Sequence, residues 1–143
     1  MIDQNALLKQ AETARKNAYA PYSGFTVGAA LLCRDGTVYT GCNVENASFS
    51  PTCCAERVAI FKAISEGRQD FCAIAVVGGK NGDALTPCPP CGVCRQVLSE
   101  FCEEDFPVIL ANGNGDPTVT TLGALLPYRF RISHPSFETE TPS

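Results

Sequence analysis

Three thiols in two short spans constrain this chain more than any other feature. The span Ser50-Pro51-Thr52-Cys53-Cys54-Ala55-Glu56-Arg57 offers a thiol, Cys54, two residues before a carboxylate, Glu56. The span Pro87-Cys88-Pro89-Pro90-Cys91-Gly92-Val93-Cys94-Arg95 offers Cys91 and Cys94, in a Cys-x-x-Cys turn that lets two sulfurs reach one ion. Helical patterns follow both spans, over 58–66 and 93–101. Three thiolates with an open fourth position are the catalytic form of a tetrahedral zinc site. Glu56 is too close to Cys54 to share its direction on a helix. It is expected beside the metal, handling the proton of a bound water. Spacing alone leaves two alternatives. A closed four-cysteine knot would recruit Cys53, Cys88 or another thiol. An iron–sulfur cluster fits less well, because the next cysteine is Cys102, followed by Glu103 where the ferredoxin run has proline.

The nine cysteines are an odd number, and the start Met1-Ile2-Asp3-Gln4-Asn5 lacks the basic and apolar regions of a secretory signal. Metal binding or free thiols, and a cytoplasmic location, are therefore expected over a disulfide framework. A net charge of −4, from 15 acidic and 11 basic residues, argues against a nucleic acid polymer as partner. No apolar run is long enough for a membrane span. A small, weakly charged substrate fits better. At 143 residues the chain is expected to form a single domain, 1–143, with a mobile polar tail at 135–143.

The pattern between the motifs is that of an α/β protein. Residues 3–18 carry Leu7, Leu8, Ala11, Ala14, Arg15 and Ala18 near one helical stripe. A proline–glycine loop at 19–24 leads to a buried strand at 25–33, whose small residues Gly28-Ala29-Ala30 predict close packing. Asp35-Gly36 predicts a hairpin to a second strand at 37–43. Thr52 is a candidate cap for the first thiol-bearing helix, and Gly67 its stop. The apolar run at 71–79 reads as a strand buried on both faces, followed by a loop at 80–87. After the second helix come a strand at 107–111, a turn at 112–116, an edge strand at 118–121 and a short helix at 122–126. This order predicts a three-layer α/β/α sandwich with a central mixed five-stranded sheet.

Asn43 and Glu45 point to the same side if the chain there is extended. They are either a solvated strand end or a pair of groups for sugar hydroxyls. Each ligand thiol lies at or just before a helix start, where partial positive charge offsets some of the charge of three thiolates. Arg57 either offsets more, by donating to a sulfur, or is a surface arginine.

The set Cys-Ala-Glu-Arg, Pro-Cys-x-x-Cys-Arg-Gln-Val, Tyr22-Ser23-Gly24-Phe25-Thr26-Val27-Gly28-Ala29, Gly41-Cys42-Asn43-Val44-Glu45-Asn46-Ala47 and Leu125-Leu126-Pro127 resembles the small homotetrameric cytidine deaminases over roughly residues 7–130. The resemblance implies Zn2+ held by Cys54, Cys91 and Cys94, with Glu56 as proton shuttle for a zinc-activated water. It implies ribose binding by Asn43 and Glu45, a base flanked by Phe25, and a substrate contact at Ala55. Phe130 would reach the site of a neighbouring subunit in a homotetramer with shared active sites, and Arg57 would offset the charge of the sulfurs. The implied reaction converts cytidine and deoxycytidine, small-molecule nucleosides, to uridine and deoxyuridine plus ammonia, in pyrimidine salvage. No organic cofactor is needed. The one histidine, His134, lies outside the motifs, so a His/Cys/Cys site is not expected.

The chain departs from the family pattern at Phe49, where tyrosine is usual, and at Val93, where alanine is common. Cys53 and Cys88 are extra thiols, either silent or able to compete for metal or oxidise. Other readings are a deaminase of a cytosine-nucleoside antibiotic such as blasticidin S, a polynucleotide-editing deaminase and a non-catalytic zinc module. Asn43-Val44-Glu45-Asn46-Ala47 fits a plain ribose binder better than the first. The acidic balance disfavours the second, and Glu56 disfavours the third.

Overall fold

The computed structural model describes residues 2–80, 87–113 and 115–132. Its elements are α1 (Gln4–Arg15), β1 (Phe25–Cys33), β2 (Val38–Cys42), α2 (Ala55–Ser65), β3 (Phe71–Lys80), α3 (Gly92–Phe101), β4 (Pro107–Leu110), β5 (Thr118–Thr121) and α4 (Leu122–Leu125). The five strands make one sheet in the order β2-β1-β3-β4-β5. Only β3 and β4 run parallel, joined by the α3 crossover, and the other neighbours are antiparallel. The sheet is therefore mixed, and β5 is its far edge, as the sequence pattern predicts.

Strand alternation sorts the core into two layers. Ala29 and Leu31 of β1 and Ile74 and Val76 of β3 pack with Ala59, Ile60 and Leu98 of α2 and α3. Ala30, Ala75 and Val77 point the other way and pack with Leu7 and Ala11 of α1. Helices thus cover both faces, giving the three-layer α/β/α sandwich. Because β3 is buried on both sides, its sequence is a continuous apolar run rather than an alternation. The small residues of β1 have a specific neighbour. A Cβ on Gly28 would lie 1.9 Å from the Ala11 carbonyl oxygen, so only glycine lets α1 lie this close to the sheet.

Two helix boundaries differ from expectation. The cap of α2 is Cys54, in extended conformation, and not Thr52. The chain stays extended because Cys53 and Val44 exchange two backbone hydrogen bonds, both at 2.9 Å. Thr52 instead accepts from the Asn46 N–H at 3.1 Å and closes the 46–52 loop. The first helix is shorter than residues 3–18. Asp3 caps it by accepting from the Ala6 N–H at 3.0 Å, and it ends at Arg15. Gly67 stops α2 as predicted. It takes φ +85°, and the N–H groups of Gly67 and Arg68 return to the carbonyls of Ile64 and Ala63. His134, the 135–143 tail and residues 81–86 of the predicted 80–87 loop lie outside the described residues.

Candidate active site

The fold brings the two thiol spans together because α2 and α3 lie on the same face of the sheet. Cys54 is the N-cap of α2 and Cys91 the N-cap of α3, with Cys94 in the first turn of α3. The Sγ atoms of Cys54 and Cys91 are 3.7 Å apart, and those of Cys91 and Cys94 are 3.5 Å apart. All three sulfurs lie within 4.8 Å of one another. Zinc–sulfur bonds of about 2.3 Å in a tetrahedron put sulfurs about 3.8 Å apart, so this donor set fits zinc. Among the described residues no other group of three metal-ligating side chains converges in this way. Cys53 and Cys88 stand outside the cluster. The Cys88 sulfur packs against Gly78, and burial pushes its thiol up to about 11.

The cluster is electrostatically prepared for a cation. Cys54 is pulled down, first by its bond from Cys94 and then by Arg57 and Cys91, which outweigh its burial. The same bond, with burial, pushes Cys94 up. The sulfurs share protons as one unit, which a divalent ion displaces on binding. Arg57 Nη2 donates to Cys54 Sγ at 3.4 Å, so this arginine faces the metal site and is not a surface residue.

Glu56 follows one residue into α2. It is 4% exposed, and burial pushes its carboxyl up to about 7, with the charge of Cys54 adding and Arg57 opposing. It lines a cleft of about 410 Å³ together with Cys54, Cys91, Phe25, Asn43 and Glu45. That volume is in the range of small-molecule sites. Asn43 is buried. Its Oδ1 accepts from the Val27 N–H and its Nδ2 donates to the Phe25 carbonyl, both at 2.8 Å. Glu45 accepts from the N–H groups of Tyr22 and Ser23, at 3.0 and 3.1 Å, and from the Ser23 hydroxyl. These bonds, the Ser23 hydroxyl first, hold its carboxyl below the usual range. Neither residue is a solvated strand end. Both brace the start of β1, which carries Phe25.

Ala55 is fully buried between Cys54 and Glu56, and its side chain does not line the cleft. Phe130 is not brought to the cleft of its own chain. It is 67% exposed, and its carbonyl accepts from Gln96 Nε2 at 3.1 Å. Phe49 is exposed on the 46–52 loop with φ +60°, and Val93 is exposed on α3. Ser23 was missed in the sequence as a cleft residue. Its signals are a serine before a glycine in a turn and its place in the 22–29 motif, and neither says anything of Glu45.

Residues 1–110 match the family model described as the cytidine and deoxycytidylate deaminase zinc-binding region. The chain belongs to the cytidine and deoxycytidylate deaminase family. It is 49% identical over 139 residues to the cytidine deaminase of Sporosarcina psychrophila, covering 97% of this chain and 99% of that one. It is 54% identical over 129 residues to the cytidine deaminase of Halalkalibacterium halodurans, covering 90% and 95%. The crystal structure of cytidine deaminase from Burkholderia pseudomallei superposes with a TM-score of 0.81 at 49% identity, covering 91% and 100%. The matched deaminase region contains all three thiols, Glu56, Arg57, Asn43, Glu45 and Phe25, and leaves Phe130 outside. In this deaminase family member zinc is the metal that the three-cysteine cluster fits. No helix among the described residues is long and apolar enough to cross a membrane.

Proposed function

We propose that the chain hydrolyses cytidine and deoxycytidine to uridine and deoxyuridine, with release of ammonia. The observation that carries this is a buried carboxyl, Glu56, beside three convergent thiols in a cleft of nucleoside size. Cys54, Cys91 and Cys94 would hold zinc, which would supply a Lewis acid able to lower the pKa of a water toward neutrality. Glu56 accepts one proton of the attacking water and passes it to N3 of the cytosine ring as the oxygen bonds to C4. It then takes the remaining hydroxyl proton from that oxygen and delivers it to the amine as the C4–N bond breaks and the uracil carbonyl forms. Its carboxyl, raised to about 7, suits a group that both takes and gives protons near neutral pH. Phe25 flanks the base, and Ala55 meets the substrate through its backbone N–H at the first position of α2, where helix geometry supplies no partner. Arg57 offsets the charge of the sulfurs. Ammonia release from cytidine by the zinc-loaded protein, run beside blasticidin S, tests the reading. Release from blasticidin S alone, or from neither, overturns it.

Asn43 and Glu45 hold the ribose hydroxyls. Glu45→Gln is expected to lower kcat/KM for cytidine by about 10²-fold or more while sparing a sugar-free cytosine analogue, because a site built to pair hydroxyls loses heavily when a partner fails. Asn43→Ala adds a loss of stability, since the Phe25 carbonyl and Val27 N–H lose their partners. Parental kcat/KM for cytidine in both variants would reduce the pair to a brace for β1.

The active assembly is a homotetramer of single-domain chains, with Phe130 lent to the site of a neighbour. The exposure of Phe49, Tyr128 and Phe130 supports an apolar contact surface. Sedimentation at assay concentration is expected to give a tetramer, and an active monomer would refute it. The reaction belongs to pyrimidine salvage in the cytoplasm, where nine unpaired cysteines stay reduced.

A further inference from the structure

We propose that Arg95 is a positioning residue for the metal site, holding Cys91 in place by tying its loop to the end of α4. The proposal rests on the three-thiol ligand set above. The three ligands are not held equally well. Cys54 sits where an extended strand, paired through Cys53 and Val44, runs into α2. Cys94 is buried within the first turn of α3. Cys91 is exposed, and it follows the proline-rich stretch 87–90, which lies in no helix or strand.

Among the described residues that stretch has one hydrogen-bonded anchor. Arg95 Nε donates to the Pro90 carbonyl at 2.7 Å, and among the described residues no other hydrogen bond reaches 87–90. The backbone N–H of the same residue donates to the Cys91 carbonyl at 2.9 Å, so Arg95 grips two successive carbonyls around the ligand. The far side of its guanidinium, Nη1, donates to the Leu125 carbonyl at 2.7 Å. Leu125 is the last residue of α4, where carbonyls lack helical partners. The short helix is itself fixed. Thr121 caps it, the Leu122 N–H donates to Phe106 and the Gly123 N–H to Glu104, at 2.9 and 2.8 Å. A line of bonds therefore runs from the end of β5 and the approach to β4, through α4 and Arg95, to the backbone that carries the exposed ligand thiol. The planar fork of arginine reaches two carbonyls in different directions, which the single ammonium of lysine cannot do at the same geometry.

The matching contact at the other end of α3 supplies a control. Arg129 Nη1 donates to the carbonyl of Cys102, the C-cap of α3, at 2.6 Å. It ties the same C-terminal region to the same helix, but far from the thiols in sequence. Zinc release to a chromogenic chelator, measured on each zinc-loaded variant beside its thermal unfolding, tests the proposal. Arg95→Met is expected to release zinc about 10- to 100-fold faster than the parent, the usual effect of losing a group that orients a ligand. Arg95→Lys is expected to fall between. Arg129→Met is expected to unfold at a lower temperature yet release zinc at the parental rate. Parental release from Arg95→Met overturns the proposal, as does equally fast release from Arg129→Met, which would signify general loosening. If Arg95→Met does not fold, Arg95→Lys decides by the same criterion. A parental chain that takes up no zinc overturns the ligand set and this proposal together, whereas parental release from the Arg95 variants overturns this proposal alone.

Discussion

Glu56→Gln is expected to keep zinc and nucleoside binding while losing about 10⁴-fold or more in kcat. General acid–base groups contribute about 10²–10⁴-fold each, and here one residue serves successive proton transfers. The substitution suits its surroundings. Glu56 is almost wholly buried in the first turn of α2, and glutamine has nearly its shape without the charge that burial opposes. The fold and the sulfur cluster should be unaffected. The loss should fall on kcat rather than KM, because the ground-state complex keeps most of its contacts. Steady-state kinetics with zinc content measured on the same samples decides between the possibilities. Loss of zinc would make Glu56 a ligand and the site closed. Near-normal turnover with zinc retained would mean that another group carries the proton. Among the described cleft residues the other carboxylate is Glu45, and its donors from Tyr22 and Ser23 hold it ionised and low. It is a poor substitute for a group that must be both acid and base.

Cys54→Ala, Cys91→Ala and Cys94→Ala are each expected to abolish zinc uptake, from about one ion per chain to almost none after dialysis. Cys53→Ala and Cys88→Ala are expected to retain it. The geometry separates the two groups. The first three sulfurs lie within bonding distance of one shared point, whereas Cys53 and Cys88 lie outside their cluster. Cys88 is further disfavoured because burial keeps its thiol protonated, and a ligand must be a thiolate. Cys53→Ala leaves the backbone pair with Val44 intact, so Cys54 keeps its place. Metal analysis on the five single variants checks this. Zinc retained by Cys54→Ala and lost by Cys53→Ala would exchange their roles.

Much of this protein is legible in its sequence because the signals are short-range. A nearly unbroken run of apolar and small residues marks β1 and β3, and Thr118–Thr121 is bounded by turn residues on one side and a helix cap on the other. The Cys-x-x-Cys turn and the Cys-x-Glu spacing are local chemistry, since a few bonds fix how far apart the groups can be. What the tertiary structure alone decided is which distant groups meet. Cys54 and Cys91 are 37 positions apart, and they meet because α2 and α3 start at the same end of one face of the sheet. The start of α2 depends on Cys53 pairing with Val44, a contact that no helix propensity or capping rule encodes. Arg57 and Arg95 are both arginines near a helix start. One turns to a sulfur and the other joins a loop to α4. Asn43 and Glu45 look like an ordinary strand end until β1 supplies the groups that Asn43 binds and the loop before it, at Tyr22 and Ser23, those that Glu45 binds. Periodicity reports which face of an element is buried. Partners across the fold depend on topology and close packing, which no local window of sequence contains.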